Sequence, residues 1–257
     1  MRSRPRTCLC VPGALILRSS ATLFLLILTL SAVTSAQEPG VFGGKQSLGI
    51  DFSYAPNSSH MLIGQAEKRQ TWTSGIEYTH FLHASRHLRF DYEASVLPLF
   101  EESDPTLIGT TTVINHTALT VHQTPFRVIY VNSGPIGFAD AGKGITAPIY
   151  AIYGRESTYG GALSPIGGRV SAFPRSRIQP SLALDLGFVV ATRDLPVDLS
   201  DRFNYMFSFG PGVQIFGTQH SAVRLEYIYR HISNAHQGYQ NPGVDQGTLR
   251  VTFSRFR

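Results

Sequence analysis

The fold class this sequence predicts is all-β, an eight-stranded antiparallel transmembrane β-barrel, and three observations predict it. The chain begins like an exported protein. Apolar and polar residues then alternate with a two-residue period along most of its length. Aromatic residues recur on the apolar face near the ends of segments of about ten residues. A soluble β-sandwich also alternates, with its apolar face turned to the core. The export start, the segment length and the aromatic positions together select the inverted arrangement, in which the apolar face meets lipid and the polar face lines the lumen.

Residues 1–36 read as a secretory signal peptide: Arg2, Arg4, Arg6 and Arg18 precede an apolar run from Ala21 to Val33, and Thr34, Ser35 and Ala36 supply small residues for cleavage after Ala36. The run is shorter than the roughly 20 residues a spanning helix needs, so no transmembrane helix is expected in the mature chain, residues 37–257. Four of the 22 basic residues lie in the leader, which leaves 18 against 17 acidic ones. The basic balance therefore belongs largely to the leader and gives no reason to expect a nucleic-acid partner. Cys8 and Cys10 also lie there, so the exported domain is expected to have no disulfide.

Eight segments carry the strand pattern, near residues 44–55, 62–82, 86–99, 160–173, 178–191, 203–217, 220–233 and 246–256. In the first, Leu48, Ile50, Phe52 and Tyr54 alternate with Gly49, Asp51 and Ser53. The period continues through Trp72, Ile76 and Tyr78, then through Leu88, Phe90 and Tyr92 against Arg89, Asp91 and Glu93. Leu182, Leu184, Leu186 and Phe188 carry it onward, as do Phe203, Tyr205, Phe207 and Phe209. Val223, Leu225, Tyr227 and Tyr229 face away from Arg224, Glu226 and Arg230, and Leu249, Val251 and Phe253 close the series against Arg250 and Thr252. An even count suits a single-chain barrel, and at eight strands side chains fill the interior.

With both termini on the periplasmic side, the connections after the first, third, fifth and seventh segments lie outside. The longest, about 100–159, is read as a long outer loop between strands 3 and 4. It contains Pro105, Pro125, Pro135 and Pro148 and the extended run Phe126 to Val131.

The seventh and eighth segments carry the chemistry. In His231-Ile-Ser-Asn-Ala235, His231 and Ser233 share one strand face and Ile232 takes the other. The chain turns through Asn241, Pro242 and Gly243 and re-enters at Asp245, which can bring a carboxylate to the far side of the imidazole. Parity makes this pointed. His231 and Ser233 fall on the odd series with Leu225 and Tyr227, and Asp245 falls on the odd series with Leu249 and Phe253. All three belong to the lipid-facing side, where a polar group is costly and is a functional candidate by default. A serine, a histidine and an acid so placed form the constellation of a serine hydrolase.

The strings "HISNA" and "NPGVD", with the acid fourteen positions beyond the histidine, resemble the outer-membrane lipid A 3-O-deacylases of the PagL type, a group also described as acyloxyacyl hydrolase-like. The upstream "YGGALSPIGGRV" (Tyr159 to Val170) is similar to a segment of that family as well. The resemblance implies Ser233 as nucleophile, His231 as its general base and Asp245 as the orienting acid, a position where the family commonly has glutamate. It also implies an oxyanion site from Asn241 and the amides around Ala235 and His236, with Asn234 and Gly243 fixing the loop. The implied substrate is lipid A, the acyl-ester-bearing anchor of lipopolysaccharide. The implied location is the bacterial outer membrane, and no cofactor or metal is needed. A homodimer is compatible with this reading. Two alternatives stay open: a non-catalytic small barrel, structural or adhesive, and an esterase acting on another membrane lipid.

Other motifs carry less. His80, His83 and His87 straddle an expected turn, where metal-ligand spacing fails, so no metal is expected. The sequons at Asn57 and Asn115 matter only in a eukaryotic secretory setting. There is no G-x-S-x-G elbow and no P-loop.

Overall fold

A computed structural model describes residues 40–257 apart from 115, 116 and 143, so the expected signal at 1–36 lies outside the described residues. Ten strands follow in order: β1 (Gln46–Ala55), β2 (Gln70–Ala84), β3 (Leu88–Ile114), β4 (Thr117–Arg127), β5 (Pro135–Asp140), β6 (Thr146–Ala172), β7 (Ile178–Leu195), β8 (Asp201–Thr218), β9 (Ser221–Ser233) and β10 (Val244–Phe256). All pairings between these strands are antiparallel.

Eight of the ten close a ring. β1 pairs with β10, and β3 pairs with β6, so the circuit β1-β2-β3-β6-β7-β8-β9-β10 has no free edge. Closure is what a sheet needs to cross hydrocarbon, where an unpaired backbone amide finds no water. The alternation in sequence becomes an inside-out protein. On β1, Leu48, Ile50, Phe52 and Tyr54 point outward and exposed, whereas Ser47, Asp51 and Ser53 are buried in the lumen. The barrel therefore presents a continuous apolar exterior of the kind that meets lipid.

The lumen is a packed, charged interior. Arg224 reaches Glu77, Glu93 and Glu226, and Arg250 holds Glu226 at 2.5 Å and Asp185 at 2.9 Å. Each of these buried ions thus has opposite charges around it, the condition under which burial of charge is tolerated. Apolar clusters flank this layer. Phe216, Ala222 and Phe256 with Phe42 lie at the end where the chain terminates, and Ala66, Phe100, Val189, Met206, Ile232 and Val244 lie toward the other.

Two expectations are corrected. Residues 100–159 are not a long outer loop between strands 3 and 4. β3 and β6 run 27 residues each and stay paired from Leu88↔Ala172 up to Thr112↔Ile149, and β4 and β5 add to their outer edges. The stretch is rich in threonine, valine and isoleucine, whose branched side chains suit strands. Its prolines mislead as breakers: Pro125 sits on edge strand β4, and Pro135 is the first residue of edge strand β5, positions where a missing N–H costs no ladder bond. Strand two was expected from residue 62, but β2 begins at Gln70. Residues 56–69 instead cross to β10, with bridges Ser58↔Gln246 and Ala66↔Val244.

Candidate active site

The ladder between β9 and β10 sets Asp245 directly opposite His231. Both point outward, on the same parity as Leu225, Tyr227, Leu249 and Phe253. Adjacent outward residues across a ladder lie close enough for a histidine and an aspartate to meet. They do: His231 Nδ1 and Asp245 Oδ1 are 2.6 Å apart. An ionised carboxylate accepts only, so the proton of this bond sits on Nδ1, and in the neutral imidazole Nε2 keeps its lone pair.

Asp245 is fully buried although it faces outward. Its cover is the β1–β2 connection, residues 56–69. The backbone N–H groups of Leu62 and Ile63 donate to Asp245 Oδ2 at 2.7 and 2.9 Å, and the Tyr229 hydroxyl donates to Oδ1 at 2.7 Å. Four donors on one carboxylate satisfy a buried charge that would otherwise be costly, and they fix its orientation toward the imidazole. His231 is itself only 6% exposed, with the Phe207 ring centroid 5.3 Å from its own. Gly243, at φ +61°, closes the other side: a Cβ there would stand 2.9 Å from His231 Cε1, so glycine is required both for the backbone and for the approach.

Ser233 is partly exposed and pairs with Tyr205 on β8. Among the described residues no hydrogen bond joins it to His231. Alternate residues on a strand are about 6.6 Å apart along the chain, and unliganded catalytic sites are commonly looser than the reacting complex. The two side chains share one groove of about 340 Å³, lined also by Ile63, Leu186, Tyr205, Met206 and Phe207. Apolar and aromatic surface thus leads to a hydroxyl and an imidazole.

The ten-residue connection from Asn234 to Gly243 is tied from within. Asn234 is buried and acts as the latch: its N–H donates to Asn241 Oδ1 at 3.1 Å, its Nδ2 donates to Gln240 O at 2.7 Å, and its Oδ1 accepts the His236 N–H at 2.9 Å. The His236 amide, expected beside the oxyanion, donates to Asn234 in this structure. The Asn241 side chain contributes its oxygen to the latch. Its Nδ2 is the half that could serve an oxyanion. Ala235 and His236 both adopt left-handed backbone, at φ 52° and 63°, a conformation uncommon for residues with a Cβ and concentrated at functional loops.

Tyr229, the Leu62 and Ile63 amides, and the Tyr205 and Phe207 walls are site features beyond those expected from the sequence. Parity could have found Tyr229, Tyr205 and Phe207, which share the outward face. Nothing in the sequence marked residues 62 and 63, because their contribution is backbone. His80 and His83 pack against Tyr78 and Phe90 on neighbouring positions.

The model of the family described as lipid A 3-O-deacylase (PagL) matches residues 135–254, a span that contains β5 to β9, most of β10 and both motif strings. No curated protein matches this chain. Among solved structures, the chain is similar to Neisserial surface protein A (NspA), with 12% identity, a TM-score of 0.43 and coverage of 84% of this chain and 99% of that one. It is also similar to the outer membrane protein OprG from Pseudomonas aeruginosa, with 10% identity, a TM-score of 0.37 and coverage of 85% and 98%.

Proposed function

From the match of residues 135–254 to the lipid A 3-O-deacylase (PagL) family model, we propose that this chain is a lipid A deacylase of the bacterial outer membrane that hydrolyses an ester-linked acyl chain. The observation that carries the reading is the outward-facing His231, bonded to Asp245 at 2.6 Å and opening with Ser233 onto a groove on the lipid-facing wall. A hydrolase whose substrate is a membrane lipid needs its nucleophile on the outside of the barrel. A structural barrel gains nothing from a buried carboxylate there.

In this mechanism Nε2 of neutral His231 takes the proton of Ser233 as Oγ attacks the ester carbonyl. Asp245 holds the tautomer and stabilises the imidazolium that forms. The carbonyl π pair moves to oxygen, where donors of the Asn241 side chain and the loop backbone stabilise the oxyanion, an effect of about 3 to 4 kcal/mol per donor. Collapse breaks the acyl carbon–oxygen bond of lipid A, and His231 returns its proton to the departing alkoxide. Water, deprotonated by His231, then attacks the acyl-Ser233 ester and releases the fatty acid. Substrate enters laterally from the leaflet on the loop side of the barrel, the outer leaflet, with its acyl chain along Leu186, Tyr205 and Phe207.

The test is mass spectrometry of lipid A from cells with and without the expressed protein. Loss of one ester-linked acyl chain with the wild-type protein and not with Ser233→Ala is the expected result. Unchanged lipid A in cells that carry folded barrel in the outer membrane would refute the reading.

A further inference from the structure

The family match begins at residue 135, yet a segment far upstream of it touches the candidate site. Between β1 and β2 the chain does not simply return to the barrel. It pairs along the edge of β10, seated by Ser59 N–H to Asp245 O at 3.2 Å, Gln65 N–H to Pro242 O at 2.6 Å and Ala66 N–H to Gly243 O at 3.0 Å. The Ser58 hydroxyl donates to Ala66 O at 2.7 Å, and the buried Arg69 ties the loop base to Val128 O and Ile129 O. The base is fixed. The tip, His60 to Gly64, is closed by a His60 Nδ1 to Gly64 O bond of 2.6 Å.

We propose that this tip is part of the active site: its backbone positions the Asp245 carboxylate, and its Ile63 side chain is the outer wall that selects which acyl chain enters the groove. The inference rests on the esterase reading above. Three observations carry it. The Leu62 and Ile63 amides hold Asp245 Oδ2, so the acid cannot turn away from His231 while the tip is seated. A Cβ on Gly64 would stand 2.6 Å from the Asp245 nitrogen and 2.7 Å from Oδ1, so only glycine lets the tip approach this far. Met61, Leu62 and Ile63 are 45%, 61% and 58% exposed, three consecutive large apolar side chains beside a lipid-facing groove that Ile63 itself lines. Exposed apolar residues in sequence are unfavourable in water and favourable against acyl chains. Ile63 lines that groove together with His231 and Ser233, so its size bears on the width available to an acyl chain at the reacting ester.

The experiment uses the purified mature barrel in detergent micelles and a series of p-nitrophenyl esters with short, medium and long acyl chains. Folding is checked by the shift of unheated samples on a denaturing gel. Ile63→Trp should lower kcat/KM for long chains relative to short ones by about tenfold, the discrimination typical of a changed apolar pocket, and Ile63→Ala should move the ratio the opposite way, with Ile63→Val near wild type. Gly64→Ala should lower kcat by about 100-fold with little change in KM, as expected when a catalytic group is displaced by about an ångström. If Gly64→Ala does not fold, His60→Ala, which removes the closing bond without adding an atom, should lower kcat in the same way. Both effects are required. Folded Ile63 variants that leave the chain-length ratio unchanged, or a displaced tip with wild-type kcat, would overturn the inference while leaving the esterase reading intact. A folded wild type that releases acyl groups from neither these esters nor lipid A would overturn that reading and this inference with it.

Discussion

Strands β9 and β10 carry ionisable residues on both faces, and the two faces handle charge differently. Inward, Arg224, Glu226 and Arg250 are paired with one another and with Glu77, Glu93 and Asp185 from across the lumen. Outward, the single acid Asp245 pairs with no arginine or lysine among the described residues, and its donors are a tyrosine, a histidine and two backbone amides. The inward set is mutually neutralising and fills volume. The outward set is organised around one carboxylate, with His231 bonded to it through Nδ1 and lining the groove beside Ser233. Charge that is cancelled serves the scaffold, and charge that is only oriented remains available for chemistry.

The comparison breaks most directly on the outward face. Ser233→Ala and His231→Ala should each lower the rate of acyl release by at least about 1,000-fold, and the double variant should be no worse than either, because nucleophile and base act as one unit. The barrel should fold in all three, since neither side chain touches the lumen network. Acyl release followed by mass spectrometry, with gel mobility as the folding check, measures both. A folded Ser233→Ala at full rate would assign the nucleophile elsewhere.

The orienting acid should rank next. Asp245→Ala should lose about 100-fold or more in kcat, because His231 loses the partner that fixes its tautomer while Leu62, Ile63 and Tyr229 lose their acceptor. Asp245→Glu adds a methylene in a fully buried position where four donors already converge. It should retain part of the rate, less than Asp245 itself, and steady-state kinetics on one ester series separates the three. Glutamate at wild-type rate would mean that the loop over Asp245 adjusts freely and that the packing around it does not set the geometry.

On the inward face the expected loss is stability and not rate. Glu226→Ala leaves Arg224 and Arg250 without their shared partner in a buried layer, and breaking such a pair costs about 3 to 5 kcal/mol. Urea unfolding in detergent should show the drop, and the fraction that remains folded should hydrolyse at the wild-type rate. A Glu226→Ala barrel of normal stability and poor activity would erase the distinction between the two faces.

How much of this was legible in the sequence follows from the same geometry. The two-residue period exposes which residues of a strand share a face, and once the export start, the segment length and the aromatic positions select an inverted barrel, the outward placement of His231, Ser233 and Asp245 follows from parity. Periodicity is blind to contributions made by backbone. That is why residues 62–69 were read as the start of a strand when they lie across β10 and donate amides to Asp245. It is equally blind to how far a paired strand continues past the bilayer. Prolines at 105, 125, 135 and 148 read as loop, whereas β3 and β6 continue as partners through that region and put two of those prolines on edge strands. The internal bonds of the β9–β10 loop are a third thing that periodicity does not report. Which donor a loop keeps free depends on its internal bonds, and Asn234 accepts the His236 amide.

The smallest expected effect tests charge in a third setting, the aqueous end of the barrel. Asp198 lies in the connection between β7 and β8, and Arg127 Nη2 stands 2.6 Å from its Oδ1. Partial burial pushes the Asp198 carboxyl up, but the hydrogen bonds and charge of Arg127 prevail and hold it below its ordinary value. A carboxyl whose folded value is depressed stabilises the fold above the unfolded value, near pH 4, and loses that stabilisation as pH falls through the folded one. The Asp198 side chain is 56% exposed, so solvent screening limits the pair to about 1 kcal/mol or less. Asp198→Asn should therefore lower the urea midpoint slightly at neutral pH, and the gap to wild type should close as the pH drops below about 4. Salt should narrow the gap as well, whereas the Glu226→Ala defect, shielded in the lumen, should persist at the same salt concentration. A gap that widened in acid would mean that Asp198 is destabilising when ionised, and Arg127 would then be held in place by Asp104 and Thr158 rather than by this pair.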